Sequence, residues 1–142
     1  MKNAIALFCL VACLHVNAQS SKTVTSLGGS KGGNISKDAL SQIVDSALTV
    51  KDASGKSYPV VKFRVFYKFK STSEDHDTGE RKTVDDMREN TFNNTPMMSD
   101  NWKESIKDNV AKDDEMVIDN VMVKLPNGKK LLVGGIKFKV VE

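Results

Sequence analysis

The clearest pattern of apolar and polar positions runs from Tyr58 to Lys70. The apolar residues that share one side of this stretch are Val61, Phe63, Val65, Tyr67 and Phe69. The basic residues on the other side are Lys62, Arg64, Lys68 and Lys70, and the exceptions to the alternation are Val60 and Phe66. Because successive side chains of a strand point to opposite faces, the pattern predicts a half-buried strand of an antiparallel sheet.

Two shorter patterns have the spacing of a helix. Ser36 precedes Leu40, Ile43 and Val44, which repeat at the interval of one helical face, and a serine is a preferred N-cap. Ser99 to Asn101 can cap a second helix, which would carry one apolar residue per turn and end near Lys112; its apolar residues are Trp102, Ile106 and Val110.

The remaining patterned segments read as strands. They cover 47–50, 116–124, 130–133 and 136–140, whereas 71–96 is polar and has no clear period. Asn127-Gly128 is the strongest local indication of a hairpin turn, since both residues tolerate a positive φ. Together these segments predict a mainly β domain, an antiparallel β-sandwich with one or two short helices.

The N-terminus indicates export. Lys2 precedes an apolar run from Ala4 to Leu14, and small residues end at Ala18, so 1–18 reads as a signal peptide and 19–26 as a flexible N-terminal arm. The apolar run is too short for a membrane-spanning helix, so we expect no transmembrane segment in the mature chain. A lipidated Cys13, preceded by small and apolar residues, is the alternative to cleavage after Ala18.

Cleavage would change the chemistry that the chain can perform. Both cysteines and one of the two histidines would be removed, which leaves His76 as the only histidine. The net charge would fall from +3 to +2, because Lys2 is the only charged residue of the leader. This near balance of interleaved charges argues against nucleic acid as a partner. We expect a protein of the periplasm, the outer-membrane surface or the extracellular space.

The glycine-rich stretch from Gly28 to Ser36 could suggest a phosphate cradle. A P-loop places its lysine after the last glycine, whereas Lys31 precedes Gly32, and no clear strand leads into the stretch. We therefore interpret it as a structural turn before the first helix. The residues predicted to serve as structural turns in the whole chain are Gly28, Gly29, Gly32, Gly33, Asn127, Gly128, Gly134 and Gly135.

Five segments resemble one family in their order and spacing. The segments are 27–40, 99–111, 114–121, 125–129 and 136–140. They are similar to the C-terminal periplasmic domain of the gliding-motility protein GldM. The resemblance implies an Ig-like β-sandwich over 27–142 and a protein partner in the cell envelope of Bacteroidota, associated with type IX secretion or gliding. Because a cleavable signal stands where that family has a membrane anchor, we expect the motor role not to carry over.

Candidate chemistry is sparse. The acidic loop Glu74–Glu80 surrounds His76, but its glycine comes one position too early for an EF-hand and it offers a single imidazole for zinc. No Gly-x-Ser-x-Gly elbow accompanies the histidine. We therefore expect no catalytic residue, cofactor or metal. A small metal-binding protein or hydrolase built on this loop is the alternative.

The favoured interpretation is an exported, non-enzymatic protein-interaction module. Binding is expected through a sheet edge or through the loops around Lys62, Arg64 and Lys68. Trp102, the only tryptophan, is either a core residue or a partly exposed binding anchor, because tryptophan is enriched at interface hot spots.

Overall fold

The computed structural model describes residues 22–142. The predicted signal peptide, Cys13 and the first residues of the predicted arm lie outside them. The described strands are β1 (Val24–Leu27), β2 (Gly33–Ile35), β3 (Leu48–Lys51), β4 (Ser57–Tyr58), β5 (Val60–Glu74), β6 (Arg81–Asn93), β7 (Glu115–Lys124), β8 (Lys130–Val133) and β9 (Ile136–Val140). The described helices are α1 (Lys37–Ile43) and α2 (Asp100–Asn109). The predicted fold class, mainly β with few helices, is confirmed.

The strands form two sheets. The smaller sheet has the order β1-β3-β4 and is antiparallel. The larger has the order β2-β9-β7-β5-β6, with β8 paired to the distal half of β7. Its pairs are antiparallel except β2 with β9, which is parallel. This one pair makes the larger sheet mixed, where the alternation of the sequence predicted antiparallel strands.

A single apolar cluster joins the two sheets and both helices. The smaller sheet contributes Leu48 and Val50, the larger sheet contributes Val65 and its cross-strand partner Ile118, and the helices contribute Leu40 and Ile106. Each of these six side chains is at most 2% exposed. Their burial supplies the main stabilising free energy of the fold, because apolar area removed from water contributes roughly 25 cal/mol per Å².

The alternation of β5 is confirmed over its central part and shifts at its start. Phe63, Val65 and Tyr67 are buried as predicted. The pairing of β5 with β7 shifts register between Val60 and Lys62 and again between Lys62 and Arg64. These irregularities reverse the expected faces: Val60 is 6% exposed, whereas Val61 remains partly exposed. The prediction was therefore wrong for these two valines.

The predicted N-terminal arm also needs correction. Residues 24–26 belong to β1, which pairs with β3 along its whole length. Thr25 is 5% exposed, and its hydroxyl donates to the carbonyl of Gly134 at 2.5 Å. This bond links the smaller sheet to the β8–β9 connection. The sequence did not reveal strand β1, because Val24 and Leu27 at its two ends are its only apolar residues.

The glycine-rich stretch carries the chain from the smaller sheet to the larger. It connects β1 to β2, which lie in different sheets. Gly32 has φ +101°, and a Cβ at this position would lie 2.7 Å from the carbonyl oxygen of Lys137. At the β8–β9 connection, a Cβ on Gly135 would lie 2.1 Å from the carbonyl oxygen of Ile118. Both positions need glycine because backbone segments approach there.

The two helices have the predicted positions. The Ser36 hydroxyl accepts a hydrogen bond from the Ala39 N–H at 3.2 Å, which caps α1 as expected. Helix α2 ends sooner than predicted, because Val110 has an extended conformation and terminates it. The next residue, Ala111, donates its N–H to the carboxylate of Asp114 at 2.8 Å, which stabilises the turn into β7.

The turn between β3 and β4 is organised by Asp52. Its Oδ1 accepts from the Ser54 hydroxyl at 2.6 Å and from the N–H groups of Ser54 and Lys56, while Oδ2 accepts from the Tyr58 hydroxyl at 2.9 Å. These bonds, first that of the Ser54 hydroxyl and then that of Tyr58, lower the pKa of Asp52 from 3.8 to about 2. The negative charge of Asp52 thus stabilises the turn.

Candidate binding surface

The predicted partner-binding residues do not form one site. Arg64 and Lys68 lie on the outer face of the larger sheet, and Lys62 lies at the irregular start of β5. Trp102 lies on α2, where it packs edge-on against Phe92 with ring centroids 6.1 Å apart. Since Phe92 pairs with Phe63 on the core side of the sheet, Trp102 and the cations belong to opposite faces.

The cations of the outer face have partners within the fold. Arg64 donates to both carboxylate oxygens of Asp119 at 2.9 Å and lies over the ring of Phe66. The hydrogen bond to Asp119 raises the pKa of the Arg64 guanidinium. Lys68 lies 3.5 Å from the carboxylate of Asp85. These pairs cross between neighbouring strands, so each cation already has an anionic partner within the fold and leaves less charge for a binding partner.

Strand β6 forms one edge of the larger sheet. It pairs with β5 over thirteen consecutive residues, from Lys62–Asn93 to Glu74–Arg81. Every residue of β6 except Phe92 is exposed. In the described part of the chain, no strand pairs with its other side. Because an antiparallel neighbour satisfies only alternate backbone groups, the outer side of β6 presents a row of free N–H and C=O groups.

The polar segment 71–96, whose sequence has no clear hydrophobic period, lies mostly within the long β5–β6 hairpin. Past Phe69 it extends beyond the buried core, so both faces of β6 meet solvent and hydrophobic alternation is not required. At its tip, the Asp75 carboxylate accepts from the N–H groups of Asp77 and Thr78, and Gly79 has φ +69°. His76 is exposed. Among residues 22–142, no group of three histidine, cysteine or acidic side chains is arranged to hold a metal.

A cleft separates α2 from the inner face of the β5–β6 hairpin. Its volume is about 440 Å³, and its walls include Tyr67, Arg88, Glu89, Trp102, Ser105 and Ile106. Sequence reasoning found Trp102 and Ile106 through their helical spacing but missed the other four. Arg88 lies in the segment without a period, and Tyr67 was assigned only to the core. The cleft forms only because the tertiary fold brings these residues of the hairpin and of α2 together.

The wall formed by Tyr67 is linked to Asp114 by a buried hydrogen bond. Its hydroxyl donates to Oδ2 of Asp114 at 2.5 Å, and both residues are at most 3% exposed. Burial, followed by the interaction with Asp114, raises the pKa of the Tyr67 phenol, so it remains a neutral donor at ordinary pH. Oδ1 of Asp114 has no hydrogen-bond partner among the described residues. The Tyr67–Asp114 bond is therefore a buried polar contact on which the packing of β5 against β7 depends.

No helix within residues 22–142 has the length and apolar character needed to cross a membrane. No protein-family model matches the chain, and no curated protein matches its sequence.

Proposed function

We propose that the protein is an exported, non-enzymatic protein-interaction module that binds an extended segment of a partner along the free edge of β6. The observation that carries this proposal is the length of that edge, thirteen residues with twelve exposed. An extended peptide can add to such an edge through main-chain hydrogen bonds, while its alternate side chains provide specificity.

The edge is held in a fixed conformation, which favours binding. The rings of Phe63 and Phe92 stack with centroids 5.0 Å apart, and Trp102 packs against Phe92 from α2. Arg88 donates to the Ser105 hydroxyl at 2.9 Å. A strand that is already ordered costs less conformational entropy when a partner binds.

The charges of β6 favour a specific partner over self-association. The strand carries both signs in close succession, in the residues Arg81, Lys82, Asp85, Asp86, Arg88 and Glu89. Charged side chains on an edge strand oppose indiscriminate pairing, since a second strand must present complementary charges. The resemblance to the GldM C-terminal domain supports a partner in the cell envelope, in the periplasm or at the outer membrane.

The proposal can be tested with a pair of proline substitutions at adjacent residues, Thr83→Pro and Val84→Pro. Neither side chain takes part in a hydrogen bond or ion pair of the described structure. Because backbone N–H groups alternate between β5 and the free edge, one substitution removes an outward N–H and the other breaks the β5 ladder. The melting temperature distinguishes them, since only the second should unfold the hairpin.

The tagged mature chain, residues 19–142, would be used to capture partners from an envelope fraction. This segment contains every core residue of the described structure. The proline variant that keeps the parental melting temperature is expected to lose the partner that the parent retains. Retention of that partner by the stable variant would contradict pairing at β6.

The alternative, a metal-binding protein or hydrolase at Glu74–Glu80, has no specific observation in its favour. Asp75 already serves the hairpin turn through its hydrogen bonds to Asp77 and Thr78.

A further inference from the structure

The cleft beside β6 contains a cation without an acidic partner. Arg88 forms no ion pair with any carboxylate of the described residues. Its neighbour Glu89, which also borders the cleft, pairs with Phe66, so the alternation of the strand places its side chain on the opposite face from Arg88. The positive charge of Arg88 is therefore not neutralised from the adjacent position.

The Arg88 guanidinium is nevertheless held in place. One Nη donates to the Ser105 hydroxyl at 2.9 Å, and the guanidinium carbon lies 5.1 Å from the centroid of the Phe69 ring. Its remaining N–H groups are available for a ligand. An ordered guanidinium suits a planar carboxylate, because its parallel N–H groups can donate to both oxygens.

The rest of the cleft suits an apolar group. Trp102 is half-buried, and the other apolar wall residues, Tyr67 and Ile106, are buried. The volume of about 440 Å³ is in the range of small-ligand sites, which combine apolar walls with a few polar groups. Arg88 and Glu89 border the cleft and belong to the edge strand β6, whose outer backbone groups can bond to the main chain of a peptide.

We propose that this cleft binds the C-terminal residue of a partner polypeptide. The terminal carboxylate would pair with Arg88, and an aromatic or branched side chain would pack against the exposed part of Trp102. The preceding residues would continue along the edge of β6, so this inference rests on the proposed function and specifies the end of the partner that binds.

The test uses the fluorescence of Trp102, the only tryptophan of the chain. The mature chain would be titrated with an acetylated Thr-Val-Thr-Phe peptide bearing a free C-terminal carboxylate. The matched probes are the same peptide with a C-terminal amide, and a free acid in which glycine replaces the final phenylalanine. We expect the free phenylalanine acid to bind about tenfold more tightly than either probe, since each lacks one of the two anchors.

Variants then assign the carboxylate preference to Arg88. Arg88→Gln should remove the difference in affinity between the acid and the amide peptides. Arg88→Lys should retain only part of it, because lysine keeps the positive charge but lacks the parallel N–H groups of a guanidinium. Lys129→Gln is the control, since Lys129 is an exposed cation of the turn between β7 and β8 and lies outside β6. It should leave the tenfold preference unchanged. Melting temperatures of all variants verify that the hairpin remains folded.

The outcomes separate this inference from the proposed function. Equal binding of acid and amide, or an acid preference that survives Arg88→Gln, would overturn the cleft assignment. If the stable proline variant still failed to capture the partner in that case, pairing along the β6 edge would be supported without the cleft. If the free acid still bound more tightly than the amide but the stable proline variant captured the partner normally, the cleft assignment would be supported and pairing along the β6 edge would be refuted.

Discussion

Tyr67→Phe isolates the buried hydrogen bond between β5 and the start of β7. The substitution removes one hydroxyl and leaves the ring in place, so packing is nearly unchanged. Oδ2 of Asp114 would keep the N–H of Ala111, while Oδ1 already lacks a partner among the described residues. The buried carboxyl group would thus lose the donor that lies 2.5 Å away.

The size of the effect follows from the kind of bond that is lost. Hydrogen bonds to charged groups contribute about 1.5–3 kcal/mol, and the short O–H···O contact between two buried residues places Tyr67 within this range. We expect a loss of about 2 kcal/mol in the free energy of unfolding. For a domain of this size, that corresponds to a fall in melting temperature of roughly 6–10 °C.

The assay is urea unfolding of the parent, Tyr67→Phe, Asp114→Ala and the double variant. The double-mutant cycle should give a coupling of about 1.5–3 kcal/mol, because either single change removes the same bond. Tyr58→Phe is the matched control: its hydroxyl also donates to an aspartate, Asp52, but both residues are only partly buried. It should alter stability much less. A Tyr67→Phe protein within about 0.5 kcal/mol of the parent, or additive single effects, would refute the reasoning.

Three further predictions concern packing, pH and metal binding. Gly135→Ala should destabilise the fold by about 1–3 kcal/mol, because its Cβ would lie 2.1 Å from the carbonyl oxygen of Ile118, whereas Gly134→Ala meets no atom within 4 Å and should be close to neutral in denaturant midpoint. Since the pKa of Asp52 is about 2 in the fold and 3.8 ordinarily, its charge stabilises the protein above about pH 4, and this contribution disappears as the pH falls towards 2. Asp52→Asn should make the urea midpoint less sensitive to pH in that window, and an unchanged sensitivity would contradict this assignment. Calcium or zinc should leave the melting temperature of residues 19–142 unchanged, whereas a rise that disappears when the acidic residues of Glu74–Glu80 are neutralised would favour the metal-binding alternative.

The parts of the fold that the sequence predicted well are those set by local geometry. The alternation through Phe63, Val65 and Tyr67 has the period of a strand with one buried face, whatever that face packs against. Ser36 satisfies the N–H of Ala39, a contact within one helical turn, so the start of α1 was readable.

The parts that were missed depend on neighbours that are distant in sequence. The faces of Val60 and Val61 are set by a register shift against β7, about sixty residues further along the chain. Residues 24–26 are a strand because β3 supplies the hydrogen-bond partners for β1. Neither contact produces a hydrophobic period in the sequence of the segment itself.

The same distinction applies to the candidate binding surface. The sequence indicated a sheet edge and identified Trp102 as a possible anchor, but it grouped that residue with cations that belong to the opposite face. The cleft exists because α2 packs against the inner face of the β5–β6 hairpin and brings Ser105 to Arg88.

The sequence by itself determined the central period of β5, the N-cap of α1 and the Asn127-Gly128 turn, because those properties are decided within a few neighbouring residues. Only the tertiary structure decided which strand lies at the edge, which cations are paired and which side chains line the cleft. Each of these depends on contacts between segments far apart in the chain, and the free energy that selects them comes from burying the shared core.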